Sequence, residues 1–318
     1  PKTVVKEIGR DAIRCGDCDT AISAFDVTSG YTMLFDDNRT VGVTVPNNVA
    51  EEIARNAENY SGAPAGSTCH SVLVFALADM PAGIVSKIRP MIGNVGTLPG
   101  VTMPSSHNAG DFGVFLVGAP HDHAITEEDL ARRSDAHMDV DSVGEGAIVI
   151  APVKVEQAGI IVGDVHAMQG DGEVAGHTTD VSAEVTVEVE VIKKLANDGP
   201  ILLPLVEDLP PLARLPSSGE LEIARSLAKK NGFDIQTEVA PIQVVGSGAN
   251  LNDATMNGLE RMARLADMDI DEVKNRVTIT GGVEIGRLPG VVHISMLTPI
   301  SRLEQIGIAH LVKEQYSL

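Results

Sequence analysis

The stretch Gly159 to Glu173 reads GIIVGDVHAMQGDGE and joins a short apolar run to a cluster of acidic and imidazole side chains. Its first part, 159–163, is a run of β-branched residues between glycines and predicts a buried strand. The part that follows, 164–173, contains two Asp, one Glu and one His on glycine-containing backbone. Carboxylate and imidazole groups are the ligands of Zn²⁺ and similar divalent ions. The stretch therefore predicts a strand that ends in potential metal ligands.

The acidic and imidazole residues of 164–173 occur as two pairs, and the members of each pair are two residues apart. Asp164 and His166 are two residues apart, so on extended backbone both project from the same face. Asp171 and Glu173 are related in the same way, and the glycines on either side of Asp171 favour a turn with positive φ. A free carboxylate beside a bound ion would serve as general base and then as proton donor. The alternative interpretation is a glycine-rich Asx turn with a hydrogen-bonded core histidine and no ion.

Predicted strands dominate the first two thirds of the chain. The alternation at 185–191 places Val on one face and Thr or Glu on the other, which predicts a half-buried antiparallel strand. Apolar runs at 71–77 and 147–151 predict buried strands, and short helices are predicted to begin at 48–51 and 126–129. Clusters of Gly, Asn and Asp separate the runs at intervals typical of a sandwich. We therefore expect a mainly β protein built on an antiparallel β-sandwich of the jelly-roll or CUB-like type.

Helical periodicity appears in the last third of the chain, after a proline-rich connection at 200–216. A capping box at 217–220 begins a predicted helix that Gly232 ends. Two further helices are predicted to begin at Asp253 and at 269–272. The apolar residues that give the first helix its periodicity are Leu221, Ala224, Leu227 and Ala228.

Two predicted strands, 235–245 and 291–297, alternate with these helices. Because the composition changes after Leu195, we expect two portions. The portion 1–197 is predicted to be the β-sandwich that carries the metal and catalytic motifs. The portion 198–318 is predicted to be an appended α+β unit packed on it.

Composition narrows the classes of partner. The 318 residues include 44 acidic and 24 basic side chains, a formal net charge of −20. Nucleic acids and anionic membranes bind basic patches, and no stretch approaches the roughly 18 apolar residues of a membrane span, so we expect neither partner. The three cysteines make no disulfide framework and the first residues lack the apolar core of a signal peptide, which indicates the cytoplasm. Cys15 and Cys18 have CxxC spacing without a second pair, and their role stays open.

The segment Asp135 to Val174 resembles the core of the acetamidase/formamidase family. That family shows an N-M-D element, then a strand, then G-D-x-H-A-x-x-G-D-G-E, and this chain has Met138-Asp139 followed by GDVHAMQGDGE at 163–173. The sequence RPMIG at 89–93 resembles a second feature of the family. The resemblance implies a β-sandwich with an appended α+β portion. It also implies hydrolysis of small linear amides, such as formamide or acetamide, to a carboxylate and ammonia.

The resemblance further implies a divalent-metal site, with Zn²⁺ as the expected ion and Ca²⁺ or Mn²⁺ as alternatives. Glu173 is the first choice for general base, although a role as ligand stays open, and Asp164 or Asp171 is expected to orient His166. His137 stands where the family has an amide side chain, which either adds a ligand or removes a substrate-orienting group. The predicted metal ligands are Asp139, His166 and His137, and the predicted catalytic residues are Glu173, Asp171 and Asp164.

The family's leading histidine has no match in this segment. Three histidines in nearby loops, His107, His121 and His123, are candidates to replace it. The expected partner is a small amide, and a homodimer is expected because exposed β edges need cover. The alternative from another class is a non-catalytic β-sandwich binding protein with a structural Ca²⁺ ion, since carboxylates and glycine turns also suit that cation.

Overall fold

A computed structural model gives the fold of most of the chain. The described residues are 31–36, 38–55, 69–70, 82–101, 132, 134–174, 178–181, 183–288 and 290–318. The predicted strand at 71–77 and the predicted helix at 126–129 lie outside them. So do Cys15, Cys18, His107, His121 and His123. Within the described ranges, every helix falls short of the length and apolarity that a membrane span requires.

Strands predominate up to residue 203 of the described chain, and helices are mixed with strands after it. The strands are β1 (Met33–Phe35), β2 (Val41–Thr44), β3 (Cys69–His70), β4 (Val85–Lys87), β5 (Met91–Thr97), β6 (Ile148–Ile150), β7 (Ile160–His166), β8 (Ile201–Leu203), β9 (Val239–Ser247), β10 (Gly282–Arg287) and β11 (Val291–Pro299). The helices are α1 (Asn47–Arg55), α2 (Ser218–Asn231), α3 (Leu251–Ala266), α4 (Ile270–Thr280), α5 (Ile300–Gln305) and α6 (Ala309–Tyr316). Two 3-10 turns occupy the proline-rich connection, at Val206–Asp208 and Pro211–Ala213.

The strands form antiparallel sheets. One sheet has the order β3-β1-β2-β4, a second has the order β10-β11-β9-β8-β6, and β5 pairs with β7 in a third. The strands predicted at 147–151 and 159–163 are confirmed as β6 and β7, but they are only partly buried, with Ile160 49% exposed. Strands β9 and β11 correspond to the two predicted C-terminal strands. Mostly antiparallel sheet with several helices is thus the observed architecture. The face-to-face jelly-roll or CUB-like packing of a sandwich stays a prediction.

The five-stranded sheet is covered on both faces, and every residue of β9 and β11 is buried. On one face, Ile242 and Ile294 pack with the apolar sides of α3 and α4. On the other face, Val245 and Val291 pack with apolar residues of the segment 138–143. The C-terminal sheet is therefore the base on which this segment rests.

The strand predicted at 185–191 is wrong. The described residues 183–192 contain no strand, and Val185, Val187, Val189 and Val191 are 37% to 72% exposed. Alternating hydrophobicity predicts a strand only if a neighbour supplies hydrogen bonds and covers one face. No strand of the described ranges pairs with this segment.

Three helices were predicted in the last third of the chain. Two of them begin where they were predicted, and the start of the third is shifted. Ser217 caps α2 in a full capping box with Glu220, Gly232 ends it at φ 75°, and Asp269 caps α4. Helix α3 instead begins at Asn250, whose side chain accepts a hydrogen bond from the amide of Asp253. Both residues are typical of helix starts, and the acidic residue occupies the third position of the helix rather than the cap.

The predicted division at 197/198 stays a prediction, but the two portions share hydrogen bonds and charge pairs. Strand β6 from the first portion pairs with β8 from the second. Asp135 lies in the segment before the predicted ligands, and Arg261 of α3 donates to its carboxylate at 2.6 Å. Ser247 donates to the other oxygen of Asp135 at 3.0 Å. The C-terminal portion therefore anchors the segment that carries the motif.

Replacing Asp135 with Ala is expected to lower the free energy of unfolding by about 3–5 kcal/mol, because it leaves the buried Arg261 guanidinium without its main counter-charge. The matched control is Asp198→Ala. Asp198 also lies near Arg261, at 3.6 Å, but its side chain is 55% exposed, so we expect a loss below about 1 kcal/mol. Urea unfolding of both variants measures the difference. Equal losses would show that the buried pair does not anchor the segment.

Candidate functional site

Four neighbouring chain segments form the floor of the site. Strand β5 lies in the middle and pairs with β7 on one side. On its other side, the segment 134–140 forms a bridge between His137 and Asn94 and donates two backbone hydrogen bonds to the carbonyl oxygen of Gly93. Asp180 forms a bridge with His166 at the far edge of β7. Motif residues that are far apart in sequence thus reach the same place.

Gly93 makes room for two carboxylates at the centre of this floor. It lies opposite Asp164 in the β5–β7 ladder. A Cβ at this position would collide with Asp139 Oδ1 and would lie 2.9 Å from Asp164 Oδ2. The Gly of the RPMIG sequence is therefore required by the close approach of Asp139 and Asp164 from the two neighbouring segments.

His137 lies between these two carboxylates. Its Nε2 is 3.0 Å from Asp139 Oδ2 and 3.0 Å from Asp164 Oδ2. The side chains of His137 and Asp139 are 5% and 0% exposed, and that of Asp164 is 24% exposed. The site therefore opens to solvent on the side of Asp164.

His166 completes the cluster from the end of β7. Its Nε2 is 3.3 Å from Asp164 Oδ1, 3.5 Å from Asp180 Oδ1 and 3.9 Å from Asp139 Oδ1. Its Nδ1 is 2.8 Å from Oε1 of Gln169. Because the amide of Gln169 donates to backbone carbonyl oxygens of Asp139 and Gly286, its oxygen is the group that faces His166. His166 therefore carries a proton on Nδ1, and Nε2 can bind an ion once it gives up its own proton.

Glu173 and Arg287 form one wall of the site. The Glu173 side chain is 8% exposed, and its Oε2 lies 3.6 Å from Nε of Arg287. The same Nε is 3.3 Å from Asp139 Oδ2, and Nη1 of Arg287 is 2.6 Å from Nδ1 of His137. The same Nη1 lies 3.1 Å from Nε2 of His137, and since a guanidinium can only donate, the ring nitrogen that accepts from it carries no proton.

The charges in the cluster shift the pKa values of its members. Burial would lower the pKa of His166, but the hydrogen bond that it donates to Asp164 and the charges of Asp139, Asp164 and Glu173 raise it to about 9. Burial would raise the pKa of Asp164, but His137 and His166 hold it well below its usual range. Burial and the neighbouring charge of Asp139 raise the pKa of Glu173 to about 8, against the opposing effect of Arg287. Perturbed groups gathered in this way are typical of functional sites.

Backbone strain is concentrated at the same place. Asp139, Asp164 and Glu173 have φ values of 50°, 59° and 43°. Residues other than glycine are uncommon in this left-handed region, which costs of order 1 kcal/mol or more for each residue. Surrounding structure holds three acidic residues in this conformation, a pattern typical of sites where geometry is kept for function.

The cluster fits a divalent ion. One atom each from His137, Asp139 and Asp164 lies within 4.8 Å of the others, and the same is true of Asp164, His166 and Asp180. Both carboxylate oxygens of Asp139 are buried and meet hydrogen-bond geometry with no described residue, although His137 Nε2 and Arg287 Nε lie 3.0 and 3.3 Å from Oδ2. A buried carboxylate without hydrogen bonds is costly, and an ion bound by these oxygens would offset that cost.

Asp171 lies apart from this cluster. It is exposed, and burial together with the charge of Asp141 raises its pKa, while Arg89 lowers it. The predicted role of Asp171 in orienting His166 finds no contact among the described residues, where Gln169 occupies that position. The bracketing turn is present, with Gly172 at φ 91°. A catalytic role for Asp171 stays a prediction.

Sequence reasoning missed three residues of the site. Gln169 lies within the motif, three residues after His166. A metal-binding imidazole usually donates its second ring N–H to an acceptor, and this rule could have pointed to Gln169. Asp180 and Arg287 have no local signal, because pairing of distant segments brings them to the site. Arg287 also shows that the C-terminal portion contributes a side chain to the site.

Comparisons with known proteins agree with the motif. The model of the Acetamidase/Formamidase family matches residues 11–301. No curated protein matches the chain significantly. A solved structure of a predicted acetamidase/formamidase from Thermoanaerobacter tengcongensis is 24% identical, over 71% of this chain and 58% of that chain, with a TM-score of 0.44. An acetamidase from Yersinia enterocolitica is 17% identical, over 70% of this chain and 52% of that chain, with a TM-score of 0.43. An acetamidase from Bacillus halodurans is 17% identical, over 88% of this chain and 72% of that chain, with a TM-score of 0.43.

The matched part of the chain spans just over half the length of the first two of these structures. The family model, in contrast, matches most of this chain and includes every residue of the site, from Gly93 to Arg287. The chain belongs to the acetamidase/formamidase family.

Proposed function

We propose that this protein hydrolyses the C–N bond of small linear amides, with formamide and acetamide as the first substrates to test, and releases ammonia and a carboxylate. The observation that carries the proposal is the meeting of Asp139, Asp164 and His166 at one buried place with Glu173 beside them. Family membership supports the same chemistry.

Asp139, Asp164 and His166 are the residues proposed to hold a divalent ion, with Asp180 at the exposed edge. Imidazole together with carboxylate favours Zn²⁺, or Mn²⁺, over Ca²⁺, which takes oxygen ligands. His137 would bind an ion through Nε2 only if that nitrogen carries no proton and accepts nothing from Arg287, whose Nη1 lies 2.6 Å from Nδ1 and 3.1 Å from Nε2. Ligation by His137 therefore depends on the ring tautomer and on the position of Arg287.

A divalent ion held by Asp139, Asp164 and His166 would supply Lewis acidity at the amide carbonyl and would lower the pKa of a nearby water. Glu173 accepts a proton from that water as the new C–O bond forms. It then gives the proton to the amide nitrogen as the C–N bond breaks, so the products are a carboxylic acid, which ionises, and ammonia. Burial and Asp139 raise the pKa of Glu173, and the charge of a bound ion would lower it again, toward the range that a general base needs near neutral pH.

Arg287 is proposed to hold Glu173 in place. Its Nε lies between Glu173 and Asp139, and its guanidinium stays charged through the reaction. This position lets it stabilise the carboxylate form of Glu173 before the proton transfer. It also keeps a positive charge beside the carbonyl oxygen on which negative charge develops.

Ammonia release from formamide, acetamide and longer amides is the direct test. We expect turnover to fall on treatment with a chelator and to return on addition of Zn²⁺ or Mn²⁺. Absence of ammonia from every amide, with a tightly bound Ca²⁺ ion in the protein, would support the non-catalytic binding protein instead.

Replacing Gly93 with Ala is expected to weaken metal affinity about 10- to 100-fold, since the added methyl group pushes Asp139 and Asp164 apart. Gly163→Ala is the matched control, because a Cβ there meets nothing within 4 Å. Calorimetric titration of both proteins with Zn²⁺ measures the effect. Equal affinities in the two variants would mean that the ion does not lie between these carboxylates.

A further inference from the structure

Helix α2 is mostly exposed, and one of its sides is less exposed than the others. Ala228 is buried, and Leu221 and Ala224 are half-buried, and their spacing places the three on one side of the helix. Ile223 and Leu227 lie on a neighbouring side and are 71% and 60% exposed. Leu227, one of the residues that give the predicted helix its periodicity, is thus exposed. Ile223 and Leu227, one turn apart, form an apolar strip that the described part of the chain leaves exposed.

Charged residues continue this strip at both ends. Glu220 precedes Ile223 by three residues, and Lys230 follows Leu227 by three. The spacing of three, four and three residues is that of the a and d positions in a helix pair. The strip is thus acidic at the start of α2, apolar in the middle and basic at the end.

We propose that α2 pairs antiparallel with α2 of a second copy of this chain, about a twofold axis at the level of Arg225. Ile223 and Leu227 are equally distant from Arg225, as are Glu220 and Lys230. In an antiparallel pair Ile223 therefore packs on Leu227 of the partner subunit, and Glu220 meets Lys230 of the partner subunit. The twofold axis makes each contact occur twice. A parallel pair would instead oppose like charges at both ends.

The local charge of α2 permits this contact in a strongly acidic protein. The chain as a whole has 44 acidic and 24 basic residues, which opposes association of two copies. Helix α2 has the opposite balance, with three basic residues and two acidic ones. The surface around the strip therefore lacks the repulsion that most of the chain would impose.

The proposed ion pair is compatible with the capping box. Oε2 of Glu220 accepts hydrogen bonds from the amide and hydroxyl of Ser217 at 2.8 and 2.7 Å. A carboxylate has about four acceptor sites, so Glu220 can hold the cap and also accept from a lysine. A contact of two short helices belongs to the class of weak interfaces, with less than about 1,200 Å² of total buried area.

Cysteine cross-linking tests the register of the pair. Oxidation of a mixture of the Ile223→Cys and Leu227→Cys proteins is expected to give a covalent dimer, because the pair brings these two positions together. Neither variant alone is expected to do so, since positions 223 and 223 of the two copies are separated along the axis by four residues, about 6 Å. Covalent dimer in all three samples to the same extent, or in none, would overturn the proposal.

Charge variants test the same contact without new cysteines. Lys230→Glu places like charges at both ends of the pair and is expected to raise the dissociation constant at least about tenfold in sedimentation experiments. Adding Glu220→Gln, which keeps the capping box, is expected to restore part of the affinity. The control is Lys229→Glu, the same change one residue away and off the strip. An unchanged monomer–dimer equilibrium in Lys230→Glu, or a monomeric parent protein, would contradict the proposal whatever the result of the amide assays.

Discussion

The Asp139→Asn protein is expected to fold, to lose its divalent ion and to lose at least about 100-fold in amide hydrolysis. Asp139 is the most buried carboxylate of the cluster and faces both His137 and His166. An amide has nearly the same shape, but it lacks the charge that binds the ion. Steady-state turnover of formamide or acetamide with saturating Zn²⁺ measures the effect.

The matched control for this variant is Asp141→Asn. Asp141 lies two residues later in the same segment, but it is partly exposed and pairs with Arg89 at 2.8 Å. We expect less than about a twofold change in turnover, since exposed ion pairs contribute little. Full activity in the Asp139→Asn protein would remove Asp139 from the proposed ligands.

The Glu173→Gln protein is expected to keep its ion and to lose about 10²- to 10⁴-fold in turnover. Glutamine reproduces the shape of protonated Glu173 but cannot accept the proton of the attacking water. Because the raised pKa of Glu173 shows that burial and Asp139 favour its neutral form, the neutral side chain is expected to leave folding intact. Ammonia release under saturating substrate measures the loss.

Glu145→Gln serves as the control for this second variant, because Glu145 is exposed and receives the same substitution. Loss of the ion together with activity in the Glu173→Gln protein would make Glu173 a ligand rather than a general base. Unchanged turnover would exclude both roles.

Local chemistry explains which parts of the fold the sequence predicts. The capping box at Ser217 and the stop at Gly232 depend on residues within one helix, and both are confirmed. The segment 185–191 alternates between Val and polar residues, but it can form a strand only beside another strand. The segment's own sequence does not show whether such a neighbour exists. The start of α3 was misplaced because Asn250 and Asp253 both fit a helix start and only the hydrogen bond decides between them.

The residues of the site also fall into two groups, those that the local motif predicts and those that depend on distant segments. Asp139, His166 and His137 were predicted as ligands and Asp164 as a residue that orients His166, and the structure places these four side chains in one cluster. Arg287 could not be predicted, because its position depends on how the C-terminal sheet packs against the motif segment. Asp171 was predicted from spacing alone, yet the turn that carries it points toward Arg89 and Asp141.

The metal content of the purified protein shows whether Asp139 and its neighbours bind a divalent ion. We expect about one Zn²⁺ or similar divalent ion for each chain after equilibration and dialysis, and close to none in the Asp139→Asn protein prepared in the same way. Equal metal content in the two proteins, or an ion-free parent protein that hydrolyses amides at full rate, would contradict this expectation.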